Sequence, residues 1–326
     1  MTRYRGCTKV AAVPPNADLV RALEDAIARV FVGKSREVRF MLVGFISGLH
    51  VLIEDVPGVG KTTLARVMAA SAGVDFARIQ FTPDLLPGDI TGMTVWDNDQ
   101  RTFVFKQGAI MHQFILADEI NRASPRTQSS LLEAMQEGSV TVEGVTHALP
   151  QPFFVIATQN PVTFVGVFHL PEGELDRFGI SFSLGYPTDR AEKEILDRFQ
   201  SDDPLTDLRP VAGAEEIVAL RRAVRQVQVD GSIKDYVIAL ASRTRDNPLL
   251  KLGASPRCSQ HVLLAAQAFA LADGRDFVMP EDVRAMLPVV VPHRLVLSAE
   301  ARIENLDAAT VLQRVVDSVP VPTGVR

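Results

Sequence analysis

The sequence predicts an α/β protein in which a parallel β-sheet covered by helices is followed by a smaller domain built only of helices. Between residues 50 and 187, continuous apolar segments of strand length alternate with helical segments. Such apolar runs are typical of parallel strands that are buried on both faces. After residue 187 only helical patterns follow. We therefore expect two domains, residues 1–187 and residues 188–326.

Periodicity and capping residues predict the helices and strands of the first domain. Asn16 can cap a helix with a single apolar stripe, and a second helical pattern follows Ser35. Ser124, with proline after it, starts a helix that runs to Gly138. Another helix is predicted at KTTLARVMAASA, and strands at HVLIED, FARIQF, HQFILAD, PFFVIATQ and GISFSLG. At least five strands therefore alternate with helices.

Two hairpins are predicted in addition to this alternation. TVWDNDQRTFVF turns at Asn98-Asp99, and SVTVEGVTHAL turns at Glu143-Gly144. They correspond to insertions near residues 91–106 and 138–150. In the second domain, helices are predicted after Thr188, around AEEIVALRRAVRQV and IKDYVIALASRT, after Ser255 and after Pro280.

Composition narrows the class of protein. The net charge of −5 speaks against a general affinity for nucleic acid or anionic lipid. Cys7 and Cys258 are far apart and form no metal-binding pattern, as is typical of a reduced, intracellular protein. The apolar run MLVGFISGLHVLI is too short to span a membrane, and we identify no signal-peptide core. We expect a cytoplasmic protein without a membrane span.

The stretch VLIEDVPGVGKTTLAR, residues 51–66, predicts a strand that enters a phosphate-binding loop and then a helix. Gly60, Lys61 and Thr62 match the end of the pattern G-x-x-x-x-G-K-[ST]. Lys61 would reach the β and γ phosphates of ATP, and Thr62 would bind Mg²⁺. The backbone and first side chains of the loop would cradle the nucleotide: Pro57, Gly58, Val59, Gly60, Lys61, Thr62 and Thr63. The alternative is an ordinary glycine-rich turn.

The first glycine of the pattern is replaced by Asp55. Asp55 precedes the amide cradle, so its carboxylate must point away from the phosphates. If the chain there requires a positive φ, aspartate is among the residues that tolerate it best. The substitution therefore does not exclude nucleotide binding.

Two acidic residues follow the strand FILAD. Asp118 and Glu119 stand at its carboxyl end, the edge at which open α/β sheets bind ligands. Asp118 can hold Mg²⁺ through the water shell of the ion, and Glu119 can orient the attacking water as a general base. A solvated acidic turn is the alternative. The preceding phosphate-loop pattern favours the catalytic interpretation.

Three further polar residues are candidates for the same chemistry. Asn160 ends the next strand, where its amide can position water near the γ-phosphate; capping a loop before a proline is the alternative. Arg177 has the fixed charge and planar fork that suit a phosphoryl-transfer transition state, whereas an ion pair with Asp176 or Glu174 is the alternative. Arg122 is another cation near the γ-phosphate region and has no assigned role.

Arg257 occupies an unusual position. It lies in the first turn of the helix that Ser255 caps and Pro256 begins, where the helix dipole disfavours a cation. An anion such as the phosphates of a nucleotide would explain this placement, and a solvent-facing arginine is the alternative. The six histidines show no metal-ligand spacing, and Trp96 in the first hairpin is assigned a packing role in preference to recognition.

Six motifs in this order resemble those of the MoxR family of AAA+ ATPases, over the chain from about Phe31 to its end. The motifs are EDVPGVGKTTLAR, RIQFTPDLLPGDITG, LADEINRASPRTQSSLLEAMQEG, PFFVIATQNP, LPEGELDRF and GASPR. The resemblance implies a P-loop AAA+ parallel-sheet sandwich followed by a small all-helical lid domain. It also implies Mg²⁺-dependent hydrolysis of ATP to ADP and phosphate.

The resemblance also implies an assembly, a kind of client and a role for each motif. A homo-oligomeric ring, usually hexameric, would hold ATP between neighbouring subunits and act on a client protein. Clients of the family often carry a von Willebrand factor A domain. The family sometimes acts on its clients while a metal cofactor is inserted. The two hairpins correspond to the helix-2 and pre-sensor-1 insertions of the family. The residues match Walker A (Lys61, Thr62), Walker B (Asp118, Glu119), sensor 1 (Asn160), the arginine finger (Arg177) and sensor 2 (Arg257).

One loop departs from the family pattern. After Asn160-Pro161 the family usually has an acidic loop with threonine and proline, whereas residues 162–169 read VTFVGVFH. The departure leaves Arg177 in place but leaves the contacts of this loop unassigned. The alternatives to a protein remodeller are a nucleic-acid motor on the same fold, a small-molecule kinase and a nucleotide-dependent scaffold. The acidic net charge weighs against the motor.

Overall fold

The computed structural model describes residues 15–160, 167–199, 205 and 207–322. The α-helices in these residues are α1 (Pro15–Ala28), α2 (Ser35–Ser47), α3 (Lys61–Ser71), α4 (Pro87–Thr91), α5 (Pro125–Glu137), α6 (Glu172–Leu175), α7 (Asp189–Phe199), α8 (Ala214–Gln226), α9 (Gly231–Arg245), α10 (Pro256–Ala272), α11 (Pro280–Val290), α12 (Ala299–Ile303) and α13 (Ala308–Ser318). The strands are β1 (Val51–Glu54), β2 (Phe76–Gln80), β3 (Gly92–Asp97), β4 (Thr102–Gln107), β5 (Phe114–Asp118), β6 (Ser139–Val142), β7 (Val145–Ala148), β8 (Phe154–Gln159), β9 (Ile180–Phe182), β10 (Leu250–Leu252) and β11 (Val296–Leu297).

The predicted fold class is confirmed by a five-stranded sheet in the order β2-β5-β8-β1-β9, in which all neighbours are parallel. Every residue of the interior strand β5 is buried, as expected for a strand covered on both faces. The register pairs Gln80 with Asp118 and Glu54 with Gln159. The carboxyl ends of four strands therefore meet at one edge of the sheet.

Both predicted hairpins are confirmed. β3 pairs with β4 and β6 pairs with β7, each in antiparallel register. Glu143 and Gly144 connect β6 to β7 with φ angles of 49° and 81°, the positive values that tight hairpin turns require. The two hairpins touch each other, because the rings of Phe105 and His147 stack with centroids 3.8 Å apart.

Most predicted helix starts are also confirmed. The hydroxyls of Ser124 and Ser255 accept hydrogen bonds from backbone N–H groups of α5 and α10. Asn16 differs, because α1 already begins at Pro15 and Asn16 therefore lies inside the helix. Within the described residues, the structure has no helix long and apolar enough to cross a membrane.

The second part of the chain is helical with one addition to the prediction. Where only helices were expected, β10 and β11 form a small antiparallel pair. Strands of three and two residues are too short to show the alternation that predicts a strand. One buried core includes residues on both sides of residue 187, so the domain boundary at that residue stays a prediction.

Parts of the chain after residue 187 contact residues at the amino edge of the sheet. Arg221 of α8 donates hydrogen bonds to the carbonyls of Phe45 in α2 and Phe153, which precedes β8, both at 3.1 Å. His293 contacts the carbonyl of Phe178, which precedes β9, at 3.1 Å. The first residues of α10 therefore lie at the sheet edge opposite the phosphate loop.

Candidate nucleotide-binding site

The loop between β1 and α3 has the backbone that a phosphate cradle requires. Gly58 and Gly60 have φ angles of 85° and 90°, which residues with a side chain rarely adopt. A Cβ atom at Gly60 would lie 3.0 Å from the ring of Phe31, whereas one at Gly58 would meet nothing within 4 Å. The loop leads directly into the N-terminus of α3, whose N–H groups and dipole favour an anion. The geometry fits a phosphate group.

Asp55 is directed away from this cradle, as the sequence predicted. Its carboxylate is 5 % exposed and accepts hydrogen bonds from Val56 N at 2.8 Å, Ser183 Oγ at 2.9 Å and Gly185 N at 2.6 Å. Asp55 is not among the described residues with a positive φ, so tolerance of that conformation does not explain its presence. Its carboxylate instead fastens the end of β1 to the segment that follows β9.

Lys61 contacts the loop itself in this structure. Its Nζ donates hydrogen bonds to the carbonyls of Asp55 at 2.8 Å and Val56 at 3.2 Å. Burial lowers the pKa of Lys61, and the nearby carboxylates of Asp55, Asp118 and Glu119 raise it, in that order of influence. The ammonium group is therefore only partly solvated, which strengthens its attraction for an anion.

Thr158 of β8 holds the two acidic residues in place. Its hydroxyl donates to Asp118 Oδ1 at 2.6 Å and accepts from the backbone N–H of Glu119 at 2.9 Å. Glu119 has a φ of 55° and a ψ of 49°, a strained conformation for a residue with a long side chain. Strain of this kind clusters at functional sites, and here it turns Glu119 out of the strand direction.

Both acidic side chains also have partners in the cleft. Asp118 Oδ2 accepts hydrogen bonds from Arg78 Nε at 3.2 Å and Nη2 at 2.6 Å. Glu119 Oε2 accepts from Gln80 Nε2 at 3.0 Å and from Arg122 Nη1 at 2.9 Å. Arg122, which the sequence left without a role, is therefore the ion-pair partner of Glu119.

A cleft of about 480 Å³ brings most of the predicted residues together. It is lined by Pro57, Gly58, Gly60, Lys61, Thr62, Thr63, Arg78, Gln80, Asp118, Glu119 and Asn160. Val59 is not among these residues, and its side chain packs against the core. Sequence reasoning missed Arg78 and Gln80, although Gln80 ends its strand as Asp118 does. The carboxyl-end rule applied to β2 would have found Gln80.

Arg177 and Arg257 do not face this cleft. They line a separate cleft of about 210 Å³ together with His50 and His261. His50 directly precedes β1, and Arg177 precedes β9, so this second cleft lies at the amino edge of the sheet. Arg257 therefore does not line the phosphate-loop cleft of its own chain, and its predicted contact with nucleotide phosphates stays a prediction.

The anion beside Arg257 is Asp176. Its carboxylate lies 4.0 Å from Arg257 Nε, accepts from Ser255 Oγ at 3.1 Å and pairs with Arg294 Nε at 2.9 Å. Among the residues that the structure describes, Arg177 forms no ion pair, so its predicted alternative partners Asp176 and Glu174 are not bound to it. The guanidinium of Arg177 is half-buried at the rim of the second cleft.

The histidines of the second cleft are neutral at ordinary pH. Burial lowers the pKa of His50 to about 4, and burial together with the charges of Arg294 and Arg257 lowers the pKa of His261 to about 3. His50 accepts a hydrogen bond from Val155 N at 3.0 Å through Nδ1 and contacts the Met135 carbonyl at 3.2 Å through Nε2. The positive charge of this cleft therefore comes from its arginines.

Of the loop that departs from the family pattern, residues 162–166 lie outside the described residues. Phe168 is described, and its backbone N–H donates to the carbonyl of Asn121 at 2.8 Å. Its carbonyl accepts from Gln128 Nε2 at 3.1 Å. The end of the loop is thereby attached to the segment that follows Glu119.

Comparison with known proteins identifies the same fold and family. Residues 50–180 match a family model described as ATPase family associated with various cellular activities, and residues 242–315 match one described as AAA lid domain. The chain is 46% identical over 296 residues to the uncharacterised protein YeaC of Bacillus subtilis, covering 91% of this chain and 92% of the relative. It is 39% identical over 315 residues to Chaperone MoxR1 of Mycobacterium tuberculosis, covering 93% and 83%.

A solved structure agrees with these relatives. The crystal structure of a proposed ATPase from Cytophaga hutchinsonii superimposes with a TM-score of 0.88 at 32% sequence identity, covering 94% of this chain and 96% of that one. The relatives extend over nearly the whole chain, and the conformation of the phosphate loop and the residues that line the cleft agree with the motifs of the family. The chain belongs to the MoxR family of AAA+ ATPases.

Proposed function

We propose that this protein binds ATP with Mg²⁺ in the cleft at the carboxyl edge of its sheet and hydrolyses it to ADP and phosphate. The observation that supports this most is the convergence of Lys61, Thr62, Asp118, Glu119 and Asn160 on one cleft. These five residues come from three separate segments of the chain. Their convergence makes an ordinary glycine-rich turn or a solvated acidic turn a poor account of the site.

The donor set fits the proposed cofactors. Gly58 leaves open space where a side chain would stand, and the N–H groups that begin α3 are available to phosphate oxygens. Thr62 and Asp118 supply hydroxyl and carboxylate oxygens, the hard ligands that Mg²⁺ prefers. When bound, the ion would neutralise charge on the phosphates. Lys61 would turn from the loop carbonyls to the phosphates.

Hydrolysis then depends on two polar residues beside the phosphates. Glu119 would orient a water molecule and accept its proton, and the amide of Asn160 would hold that water in line. In this structure Gln80 and Arg122 occupy the Glu119 carboxylate.

The position of the two arginines supports assembly into a ring, for which we propose a hexamer. Arg177 and Arg257 lie at the sheet edge opposite the phosphate loop of their own chain, so both would face the ATP of an adjacent subunit. An arginine supplied in this way contributes about 10³–10⁵ in rate to other phosphoryl-transfer proteins. The Arg177 guanidinium is free of ion pairs among the described residues, as such a role requires.

The ring would use ATP to remodel or activate a client protein in the cytoplasm. A relative is named a chaperone, and the family resemblance favours a client with a von Willebrand factor A domain, whose maturation can include insertion of a metal cofactor. Trp96, for which the sequence favoured a packing role, is instead exposed on the first hairpin beside Phe103, and the two rings lie 5.1 Å apart. An exposed aromatic pair is a suitable contact for a protein client.

Two matched variants test the proposed function. Lys61→Ala should abolish nucleotide binding, whereas Glu119→Gln should bind ATP and hydrolyse it at least a hundredfold more slowly. The reason is that Lys61 contacts phosphates before reaction, while Glu119 acts on the attacking water. Binding is measured with a fluorescent ATP analogue and hydrolysis by phosphate release. Equal loss of ATP binding in both variants, with unchanged circular dichroism, would contradict these roles.

A further inference from the structure

Arg78 is a charged residue inside the nucleotide cleft that the proposed function leaves without a role. It lies on β2, the edge strand of the sheet, and its side chain crosses to the neighbouring strand β5. There Nε and Nη2 both contact a single oxygen, Asp118 Oδ2. Nη2 also donates to Gln80 Oε1 at 2.6 Å. The guanidinium is thus oriented by two acceptors and directed at the proposed metal ligand.

The two oxygens of Asp118 have different environments. Oδ1 is held by the buried hydroxyl of Thr158 at 2.6 Å. Oδ2 is therefore the oxygen that remains for the shell of a metal ion, and it is the one that Arg78 occupies. The side chain of Asp118 is 12% exposed and that of Arg78 is 47% exposed, so the arginine has room to leave while the carboxylate does not.

From this geometry we infer that Arg78 is the resident counter-ion of Asp118 and that Mg²⁺ must displace it when nucleotide binds. Arg78 neutralises a nearly buried carboxylate and fixes its rotamer. A divalent cation whose water shell is bound by Oδ2 would lie close to the Arg78 guanidinium, and the two like charges would repel each other. Arg78 therefore acts as a positioning residue that weakens metal binding and limits how much Mg²⁺ strengthens nucleotide binding.

This inference rests on the proposed function, because it concerns the metal that accompanies ATP. The test measures the dissociation constant of a fluorescent non-hydrolysable ATP analogue with the full chain, in excess Mg²⁺ and in EDTA. The constant in EDTA divided by the constant in Mg²⁺ gives the coupling between metal and nucleotide. In Arg78→Gln we expect this ratio to rise by roughly three- to fivefold, as for loss of a partly exposed ion pair. The change should come mainly from tighter binding in Mg²⁺.

Arg122→Gln is the matched control. It removes the same charge from beside the same pair of acidic residues, but its partner is Glu119 and not Asp118. Its ratio should stay within about twofold of the wild-type ratio. An equal rise in both variants would show that net charge alone matters and would overturn the inference. Arg78→Lys keeps the positive charge but loses the planar guanidinium fork, and it should give an intermediate ratio. This variant also provides the test if Arg78→Gln does not fold.

Other outcomes separate this inference from the proposed function. Weaker binding of the analogue to Arg78→Gln in both Mg²⁺ and EDTA would show that Arg78 contacts phosphate and would overturn the inference. An unchanged ratio would overturn it as well, while leaving nucleotide binding intact. Failure of the wild-type protein to bind the analogue under either condition would instead remove the proposed function and the inference together.

Discussion

Asp55 provides a sharp test of how the phosphate loop is built. In this chain an aspartate stands where the loop pattern has glycine, and the structure gives its carboxylate three hydrogen-bond donors that do not belong to the cleft. Asp55→Ala should therefore destabilise the fold while leaving nucleotide affinity within about tenfold, or 1.4 kcal/mol. A residue of the cradle would show the opposite pattern.

The magnitude follows from the three contacts. A hydrogen bond to a charged group contributes about 1.5–3 kcal/mol. Ser183 is exposed, so water can replace the carboxylate at its hydroxyl. The bonds to the backbone N–H groups of Val56 and Gly185 are only partly replaceable. Taking the lower value for each of these two bonds, Asp55→Ala should cost about 3 kcal/mol of unfolding free energy.

The assay is urea unfolding of the nucleotide-free protein, with binding of a fluorescent ATP analogue measured in parallel. Ser183→Ala is the matched control and should cost less than about 1 kcal/mol, because its partner bond is solvent-replaceable. Asp55→Asn keeps one acceptor oxygen and should fall between the two. A stability of Asp55→Ala equal to that of Ser183→Ala, or a hundredfold loss of nucleotide affinity in a folded variant, would refute the reasoning.

Two further predictions concern Thr158 and His50. Thr158→Val should slow hydrolysis more than it weakens nucleotide binding, because it frees Asp118 and Glu119 together. Thr127 is also buried and hydrogen-bonded, so Thr127→Val is the control that should lose comparable stability without slower hydrolysis. A drop in hydrolysis shared by both variants would contradict the prediction. Burial holds the pKa of His50 at about 4 in the folded state, below the unfolded value of 6.5. The contribution of His50 to the free energy of unfolding, about 3 kcal/mol, is therefore present above pH 6.5 and lost as pH falls towards 4. Urea unfolding of His50→Gln should show a flatter dependence of this free energy on pH across the same window. Parallel pH profiles for the wild type and His50→Gln would show that another group dominates.

The sequence predicted the features that depend on local pattern. Strands such as FILAD are visible as continuous apolar runs, and the rule that ligands bind at carboxyl ends of strands led to Asp118 and Asn160. Ser255 was found as a cap because capping is a property of a few neighbouring residues. The hairpin at Glu143 was found from its turn residues.

Features that depend on distant packing were not predictable in the same way. Arg78 meets Asp118 because β2 lies beside β5, and strand order does not follow from the pattern of single strands. Two of the three donors to Asp55 lie 128 and 130 residues further along the chain. The position of Arg257 at the sheet edge opposite the phosphate loop depends on how α10 packs against α11 and α2, which the pattern of its own helix does not reveal. The anion beside Arg257 is a carboxylate of the same chain.

The central claim is that each ATP site is completed by an arginine of the adjacent subunit. Arg177→Ala and Lys61→Ala would damage opposite sides of such an interface, so each alone should be inactive. Rings assembled from both variants contain some interfaces with an intact Lys61 site facing an intact Arg177. Phosphate release by the mixture should therefore recover a fraction of wild-type activity that neither variant shows alone. Mixed rings that form, as shown by co-purification of two different tags, and remain inactive would contradict the claim.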